Sequence, residues 1–273
     1  MKLRTALSVF SGDNKPPYAL GVALSGGGAR GLAHAGALQA IEDAGLKPDI
    51  IAGVSAGSVV AVLYAAGVKP RRILDMFMVA RARDLAELSW GNGGLLKIDK
   101  FTSYITHALG HYKRLEDLRI PTYIGVTNFE EGCPAEFHEG EIGPIVTASC
   151  SIPVAIPPVT IDGVKYVDGG VLRNLPAWTI RDKCKQLIGI NVSPVIKAAQ
   201  ISSSLIEIAL RTYTLMAKAN QLNDMRMCDL AVSTDEISDH NVFSLKDLTR
   251  LYNIGYANTK QALLEQGWWT PKK

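Results

Sequence analysis

A serine flanked by small residues stands where a strand should turn directly into a helix. The segment Gly53-Val54-Ser55-Ala56-Gly57 follows an apolar run, 48–52, typical of a buried strand, and precedes an apolar run, 58–66, typical of a helix. A GxSxG sequence in this setting is typical of a nucleophile elbow, in which the glycines make room for a strained turn that exposes the serine hydroxyl. Ser55 is therefore the candidate nucleophile, and a helix cap is the alternative interpretation.

An acyl-transfer site also needs donors for the oxyanion that develops during the reaction. Gly26, Gly27 and Gly28 lie between the first predicted strand and the next helix, where successive amides can point at one spot, and we expect them to form an oxyanion hole. Together with Gly31 this loop also fits the dinucleotide fingerprint GxGxxG, which predicts a strand-end acid about 20 residues further on. Asp49 lies instead at the beginning of the second strand, so the nucleotide alternative is disfavoured.

The base that would activate the serine is the third requirement. Asp168 ends a predicted strand, and Gly169 and Gly170 after it would let a substrate or the elbow approach the carboxylate. Only His240, in a loop after the last predicted strand, would complete the chain order serine, aspartate, histidine of an ordinary α/β-hydrolase triad. The residues alone leave that alternative open.

The other histidines indicate no metal site. His34 lies within the first helix, where a packed or capping role is expected, and His138 follows a hairpin and should be exposed. His107 and His111 are four residues apart on one helix, but they lack the HExxH motif of a zinc pair. We expect neither a metal nor another cofactor.

The elements that would position these residues alternate between strands and helices. The apolar patterns predict strands at 18–24, 48–52, 121–127, 136–138, 159–161, 165–167, 186–192 and 229–233. They predict helices at 32–44, 58–66, 71–80, 100–109, 145–151, 202–227 and 245–266. Asp162-Gly163 is the strongest hairpin signal. This alternation predicts an α/β fold, a three-layer α/β/α domain with a mainly parallel central sheet.

Length and composition limit the organisation and the partners. The 273 residues suffice for an N-terminal extension, 1–18, and a single domain, 19–273, in which 81–118 is interpreted as a cap and 196–273 as a C-terminal helical part. A hydrophobic fraction of 47% with 20% charged residues is that of an ordinary packed protein. A net charge of +3 without a basic run argues against a nucleic-acid partner.

The chain carries few signals of location. Its four scattered cysteines lack a CxxC pair and are interpreted as free thiols in a reducing compartment. The N-terminus makes a poor secretory signal, and no run approaches the roughly 20 apolar residues that a spanning helix needs. We expect a cytoplasmic protein of unknown oligomeric state. Trp268 and Trp269 suit a membrane interface, but packing against the end of the last helix or in an oligomer contact is favoured.

Taken together, the motifs resemble those of the patatin-like phospholipase family, in particular its compact bacterial members. The loop from Gly26 to Gly31, which includes Arg30, resembles the family's oxyanion loop, and the segment from Gly53 to Gly57 resembles its serine elbow. Asp168-Gly169-Gly170 resembles its DG[AG] motif, and residues 148–153 resemble the segment before its aspartate hairpin. The resemblance spans about 19–195.

The resemblance implies a lipid acyl hydrolase, phospholipase A-like or a carboxylesterase, with a Ser-Asp dyad. Ser55 would attack an ester carbonyl, Asp168 would act as its base through a short contact, and the glycine loop would bind the oxyanion. His240 would then be a bystander, and Arg30 would brace the loop or face an anionic head group. Peripheral membrane contact stays open. A non-catalytic binding module on the same fold is the alternative of another class, and the intact motifs argue against it.

Overall fold

Buried parallel strands form the centre of the molecule, because continuous apolar runs without alternation suit strands that are covered on both faces. The computed structural model describes residues 16–83, 103, 105–194, 204–237 and 247–270. The strands within them are β1 Tyr18–Leu24, β2 Ile50–Val54, β3 Thr122–Asn128, β4 Cys133–Phe137, β5 Val159–Ile161, β6 Val164–Asp168, β7 Cys184–Asn191 and β8 Leu230–Ser233. The helices are α1 Leu32–Asp43, α2 Ala56–Ala65, α3 Pro70–Arg83, α4 Ile142–Ser149, α5 Ala177–Ile180, α6 Leu205–Arg226 and α7 Leu248–Glu265.

These strands form one mixed sheet in the order β5-β6-β3-β2-β1-β7-β8, with β4 also paired to β3. The pairs β1–β2, β1–β7, β2–β3 and β7–β8 are parallel, whereas β3–β4, β3–β6 and β5–β6 are antiparallel. The predicted α/β fold with a mainly parallel sheet between helices is confirmed. Because β1 and β2 are adjacent and parallel, the loops that follow them, with the glycines and Ser55, lie at one edge of the sheet.

The chain after residue 195 contributes to the same core. Strand β8 extends the sheet beside β7, and α7 packs against α1, where the Tyr256 hydroxyl donates to the Asp43 carboxylate at 3.1 Å. Trp268 and Trp269 pack against the main hydrophobic cluster, as the favoured interpretation predicted. This part is therefore not purely helical.

Several predicted boundaries differ from the observed ones. Strand β2 begins two residues later than predicted, because the Asp49 carboxylate accepts the backbone amides of Ala19 and Leu20 and thereby joins the preceding loop to β1. Strand β4 begins at Cys133 rather than at residue 136, and α4 begins at 142 rather than 145. The short helix α5 was missed. The Asp162-Gly163 turn is confirmed, with φ values of 50° and 82°.

The predicted cap lies mostly outside the described residues, whereas the prediction for the cysteines can be compared with the structure. Residues 84–102 and 104 of the predicted cap, 81–118, lie outside the described residues, and helical backbone is described at 105–108. All four cysteines lie in the part that the structure describes, and each is a free thiol as predicted.

Among the described residues, no helix has both the length and the apolar character needed to cross a membrane.

Candidate active site

Ser55 adopts the strained backbone of a nucleophile elbow. Its φ of 53° and ψ of −125° are unusual for a residue with a side chain, and the turn connects β2 directly to α2. A β-carbon at Gly57 would lie 2.3 Å from the Leu24 carbonyl oxygen, and one at Gly53 would lie 2.5 Å from the Gly57 oxygen, so both glycines are sterically required. The Ser55 hydroxyl makes no capping bond to α2, which disfavours the helix-cap interpretation.

Two serines that the sequence analysis missed hold the elbow in place. The Ser149 hydroxyl accepts the Ser55 amide at 2.8 Å and donates to the Gly125 carbonyl at 2.8 Å, so that one side chain connects the elbow to β3. The Ser58 hydroxyl donates to the Ser55 carbonyl at 2.6 Å. Because the backbone is fixed from both sides, the side chain of Ser55 can be directed into the adjacent cavity. Ser149 lies within the segment 148–153 that resembles the family pattern, which was the available signal.

Asp168 is fully buried at the end of β6 and is held by its own backbone. Its amide donates to the Ser151 carbonyl at 3.0 Å, and the Thr127 hydroxyl donates to its carbonyl at 3.1 Å. The side-chain oxygen Oδ1 accepts the Gly170 amide at 2.8 Å. The Gly170 bond fixes one carboxylate oxygen, and the other, Oδ2, is buried.

The electrostatics of Asp168 suit a base. Burial raises the pKa of this carboxyl to about 6, against the opposing effect of hydrogen bonding from the Gly170 amide and from the Ser55 and Tyr213 hydroxyls. The carboxyl is thus ionised at neutral pH and more basic than an ordinary aspartate. Oδ2, however, has no partner at full hydrogen-bond geometry within the described residues. The Ser55 hydroxyl is a neighbour of this carboxyl, and the short Ser55–Asp168 contact stays a prediction.

The glycine loop offers two donors rather than three. The Gly26 amide donates to the Asn174 carbonyl at 3.1 Å, so it is occupied, which differs from our expectation for the oxyanion hole. The amides of Gly27 and Gly28 bond to no atom of the described residues, and both glycines line a cavity with Ser55. Arg30 is buried, lines the same cavity and donates to the Pro194 carbonyl at 3.1 Å, which corresponds to the predicted bracing role.

His34 supports the loop and does not act as a base. It is fully buried in α1, and its Nε2 donates to the Ser25 carbonyl at 2.8 Å. Burial lowers the pKa of this imidazole to about 4, partly offset by the bond to Ser25, so the ring is neutral at pH 7. The predicted packed role is confirmed.

The long helix α6 closes the site over Ser55. Leu210, Tyr213, Thr214 and Ala217 share one helix face, at the spacing i, i+3, i+4, i+7, and line the cavity opposite the glycine loop. Ile152 adds a further apolar wall. The sequence analysis assigned no role to this helix, although the spacing of these four residues could have indicated a single buried face.

A polar network fastens α6 to the loop that follows Asp168. The Asn220 side chain donates to the carbonyls of Gly170 at 3.0 Å and Val171 at 3.2 Å, and it accepts the Asn174 amide at 2.9 Å. Arg173 forms an ion pair with both carboxylate oxygens of Asp224, which is fully buried. No motif marks these residues, because each contacts backbone or a partner about 50 positions away.

The remaining predicted residues lie elsewhere. His107, His111 and His138 are exposed, the last as predicted, and they do not line the cavity. His240 lies outside the described residues. Within the described ranges, no three histidine, cysteine, aspartate or glutamate residues come together as a metal site. Asp49 bonds to β1 and lies at the opposite end of β2 from the glycine loop, so it supplies no ribose ligand.

Comparison with known proteins agrees with this geometry. A family model described as patatin-like phospholipase matches residues 22–180, more than half of the chain. The proteins named lysophospholipase NTE1 from Eremothecium gossypii and Saccharomyces cerevisiae are 34% and 31% identical over 187 and 184 residues. These alignments cover 65% and 64% of this chain but only 12% and 11% of the relatives, so the chain spans about a tenth of their length.

The solved structures include a neighbour with the same fold. VipD from Legionella pneumophila superposes with a TM-score of 0.58 at 16% identity, and the match covers 92% of this chain and 67% of VipD. That likeness indicates the fold alone. With the family match over residues 22–180, the strained serine elbow and the DGG motif at the end of β6, the chain belongs to the patatin-like phospholipase family.

Proposed function

We propose that the chain is a serine hydrolase that cleaves carboxylic esters of lipids, with lysophospholipids as its substrate class. The single observation that carries the proposal is the Ser55 hydroxyl, which is free of a capping bond on a strained elbow and faces the buried, basic carboxyl of Asp168. The names of the lysophospholipase relatives support the substrate class. The apolar side chains of Ile152, Leu210 and Ala217 around the cavity support an acyl chain as the bound group.

The first half of the reaction forms an acyl-enzyme. The Ser55 oxygen attacks the ester carbonyl carbon while its proton passes to the Asp168 carboxylate. The Gly27 and Gly28 amides stabilise the oxyanion of the tetrahedral intermediate, together with the positive end of α2. The intermediate collapses, the carbon–oxygen bond to the leaving alcohol breaks, and that alcohol takes the proton from Asp168.

The second half releases the fatty acid. A water molecule attacks the acyl carbonyl, and its proton passes to Asp168. The bond between the acyl carbon and the Ser55 oxygen then breaks, and the proton returns from Asp168 to Ser55. In this scheme one carboxylate serves both halves without a histidine, which makes a dyad rather than a triad.

The test is hydrolysis of p-nitrophenyl butyrate and of a 1-acyl lysophosphatidylcholine by folded variants. Ser55→Ala and Asp168→Asn should each lose at least about 10³-fold in kcat/KM. The matched control is Asp162→Asn at the exposed turn of the same hairpin, which should keep wild-type activity. A wild-type protein that cleaves neither substrate would contradict the proposal.

A further variant separates the dyad from the triad. His240→Ala should keep the wild-type rate if Asp168 is the base. An equal loss in His240→Ala and Asp168→Asn would favour the conventional triad. Labelling of Ser55 by a fluorophosphonate probe, and its disappearance in Ser55→Ala, would identify the nucleophile directly.

A further inference from the structure

We propose that Tyr213 is a positioning residue of this site, whose hydroxyl holds the Asp168 carboxylate while Ser55 exchanges its proton. The inference rests on the proposed function, since it assigns α6 a part in the same hydrolytic site. It adds to the serine and the aspartate a third group, from a part of the chain that the family model does not match.

The position of the tyrosine is the first argument. A β-carbon at Gly170 would lie 2.3 Å from the Tyr213 hydroxyl oxygen and 3.1 Å from Asp168 Oδ1, so these two oxygens flank one small space that only glycine leaves open. Tyr213 also lines the cavity that contains Ser55. The second glycine of the DGG motif thus allows a phenol from α6 to reach the carboxyl.

The unsatisfied carboxylate oxygen is the second argument. Oδ2 of Asp168 is fully buried and has no partner at full hydrogen-bond geometry among the described residues, and a buried ionised oxygen needs a nearby donor. The hydroxyls of Ser55 and Tyr213 and the thiol of Cys150, at the end of α4, face this carboxyl. Burial raises the pKa values of the thiol and of the phenol well above their ordinary ranges, so both stay protonated. Tyr213 is therefore a permanent donor.

The chemistry gives this donor a distinct task. When Ser55 becomes acylated, it loses its proton and can no longer donate to Asp168. A second donor that takes no part in the bond changes keeps the carboxyl oriented until water arrives. Tyr213 fits this requirement, because its hydroxyl lies beside the carboxyl and its side chain is fixed by the fold.

The attachment of α6 is the third argument. Asn220, two turns after Tyr213 on the same helix, bonds to the carbonyls of Gly170 and Val171 and to the amide of Asn174. These three bonds fix the height of the helix above the loop that follows Asp168. The phenol is thus positioned by the same loop that carries the base.

The pH profile of kcat/KM on p-nitrophenyl butyrate tests the inference. Tyr213→Phe removes one oxygen and keeps the ring, so we expect about a tenfold loss at pH 7 and a rise of about one pH unit in the acidic limb, with little change in KM. The matched control is Thr212→Val, which removes an exposed hydroxyl from the same helix and should leave the profile unchanged. An acidic limb in Tyr213→Phe that coincides with the wild-type limb would overturn the inference.

A second substitution moves the limb the other way. With 3-fluorotyrosine at position 213 alone, the phenol is a stronger acid and a stronger donor, so the acidic limb should fall below that of the wild type. A merely structural role would give no such opposite pair of shifts, and limbs that move in the same direction would contradict the proposal.

A third measurement does not depend on turnover. In urea at pH 8, Tyr213→Phe should lower the unfolding midpoint more when it is made in the wild type than when it is made in Asp168→Asn. Only in the wild type does the substitution remove a bond to a charged carboxylate. Equal losses in both backgrounds would overturn the contact. If the wild type cleaves no ester, the proposed function fails, and this cycle still decides whether Tyr213 holds Asp168.

Discussion

Val54 and Asp168 pair with consecutive residues of one strand, Gly125 and Val126 of β3. Strand β4 pairs with residues 124–128 of β3 and so covers one edge of that strand. The parallel β2, paired with 122–125, and the antiparallel β6, paired with 126–128, therefore follow each other along the opposite edge, with their carboxyl ends facing each other. The residue after Val54 is the proposed nucleophile, and the last residue of β6 is the proposed base. The register of β3 is thus what brings Ser55 and Asp168 together across more than a hundred positions of sequence.

The raised pKa of Asp168 predicts the acidic limb of the activity profile. A base must be ionised to accept a proton, and the pKa of this carboxyl is about 6. We therefore expect kcat/KM to be level above pH 7 and to fall about tenfold per pH unit below about pH 6. Initial rates on a neutral ester between pH 4.5 and 8.5 would check this. A limb near pH 4, the ordinary range of aspartate, would show that burial does not govern the base.

The same pKa predicts that Asp168→Asn stabilises the protein at neutral pH while it abolishes activity. The pKa rises from 3.8 when unfolded to about 6 when folded, so the folded state binds the proton more tightly and loses stability as pH rises through this window. The difference corresponds to about 3 kcal/mol in the free energy of unfolding above pH 6.

The readout is how the stability gap between Asp168→Asn and wild type changes with pH. The gap should widen by about 2.4 kcal/mol from pH 4 to pH 7 in urea unfolding, whatever constant offset the amide introduces. Asp162→Asn, whose side chain is exposed, should show no such trend. A gap that is independent of pH would contradict the prediction.

His34 predicts the opposite dependence. Its pKa falls from 6.5 when unfolded to about 4 when folded, so the unfolded state binds the proton more tightly and stability is lost as pH falls through this window. The loss in the free energy of unfolding should approach about 3 kcal/mol near pH 4. His34→Gln, which keeps a donor for the Ser25 carbonyl but does not titrate, should remove it. The proteins with His34 and with His34→Gln should both carry Asp168→Asn, because the titrations of His34 and Asp168 change stability in opposite directions between pH 4 and pH 6. If the free energies of unfolding of the two proteins changed with pH in parallel, this account would be contradicted.

The sequence was sufficient for the parts of the site that local geometry determines. The elbow turn requires Gly53, whose β-carbon would lie 2.5 Å from the Gly57 carbonyl oxygen, and the hairpin before Asp168 follows from the Asp162-Gly163 turn. Such features depend on neighbours within a few residues, so they leave a pattern in the sequence. The central strands were also predictable, because burial on both faces requires continuous apolar runs, which are visible in the sequence.

The rest depends on contacts between distant segments. Gly26 resembles its two neighbours in sequence, and only the approach of the Asn174 carbonyl removes its amide from the proposed oxyanion hole. Tyr213 belongs to a helix without a motif, and its role depends on where that helix crosses the loop after Asp168. The register that aligns β2 and β6 along β3 is likewise set by tertiary packing. No spacing rule conveys such information.

The last prediction concerns the ion pair that secures α6. Asp224 is fully buried, and burial raises the pKa of its carboxyl while the bidentate bond from Arg173 opposes that shift. Arg173→Met removes the cation that pairs with the carboxylate and also the cation–π contact of the guanidinium with Trp178, so we expect a loss of about 3 kcal/mol in the free energy of unfolding. Activity should fall as well, because α6 then positions Tyr213 less firmly.

The control is the exposed pair between Arg114 and Glu116, whose nitrogen and oxygen atoms are also close, at 2.6 Å. Arg114→Met should leave the urea midpoint unchanged, because an exposed pair contributes little. In the double variant Arg173→Met/Asp224→Leu the buried charge is gone, so stability should recover much of the loss while activity stays low. This outcome would separate the cost of an unpaired buried charge from the positioning of the helix. Equal losses in the two arginine variants would contradict the prediction, since they would show that burial of Asp224 does not determine the effect.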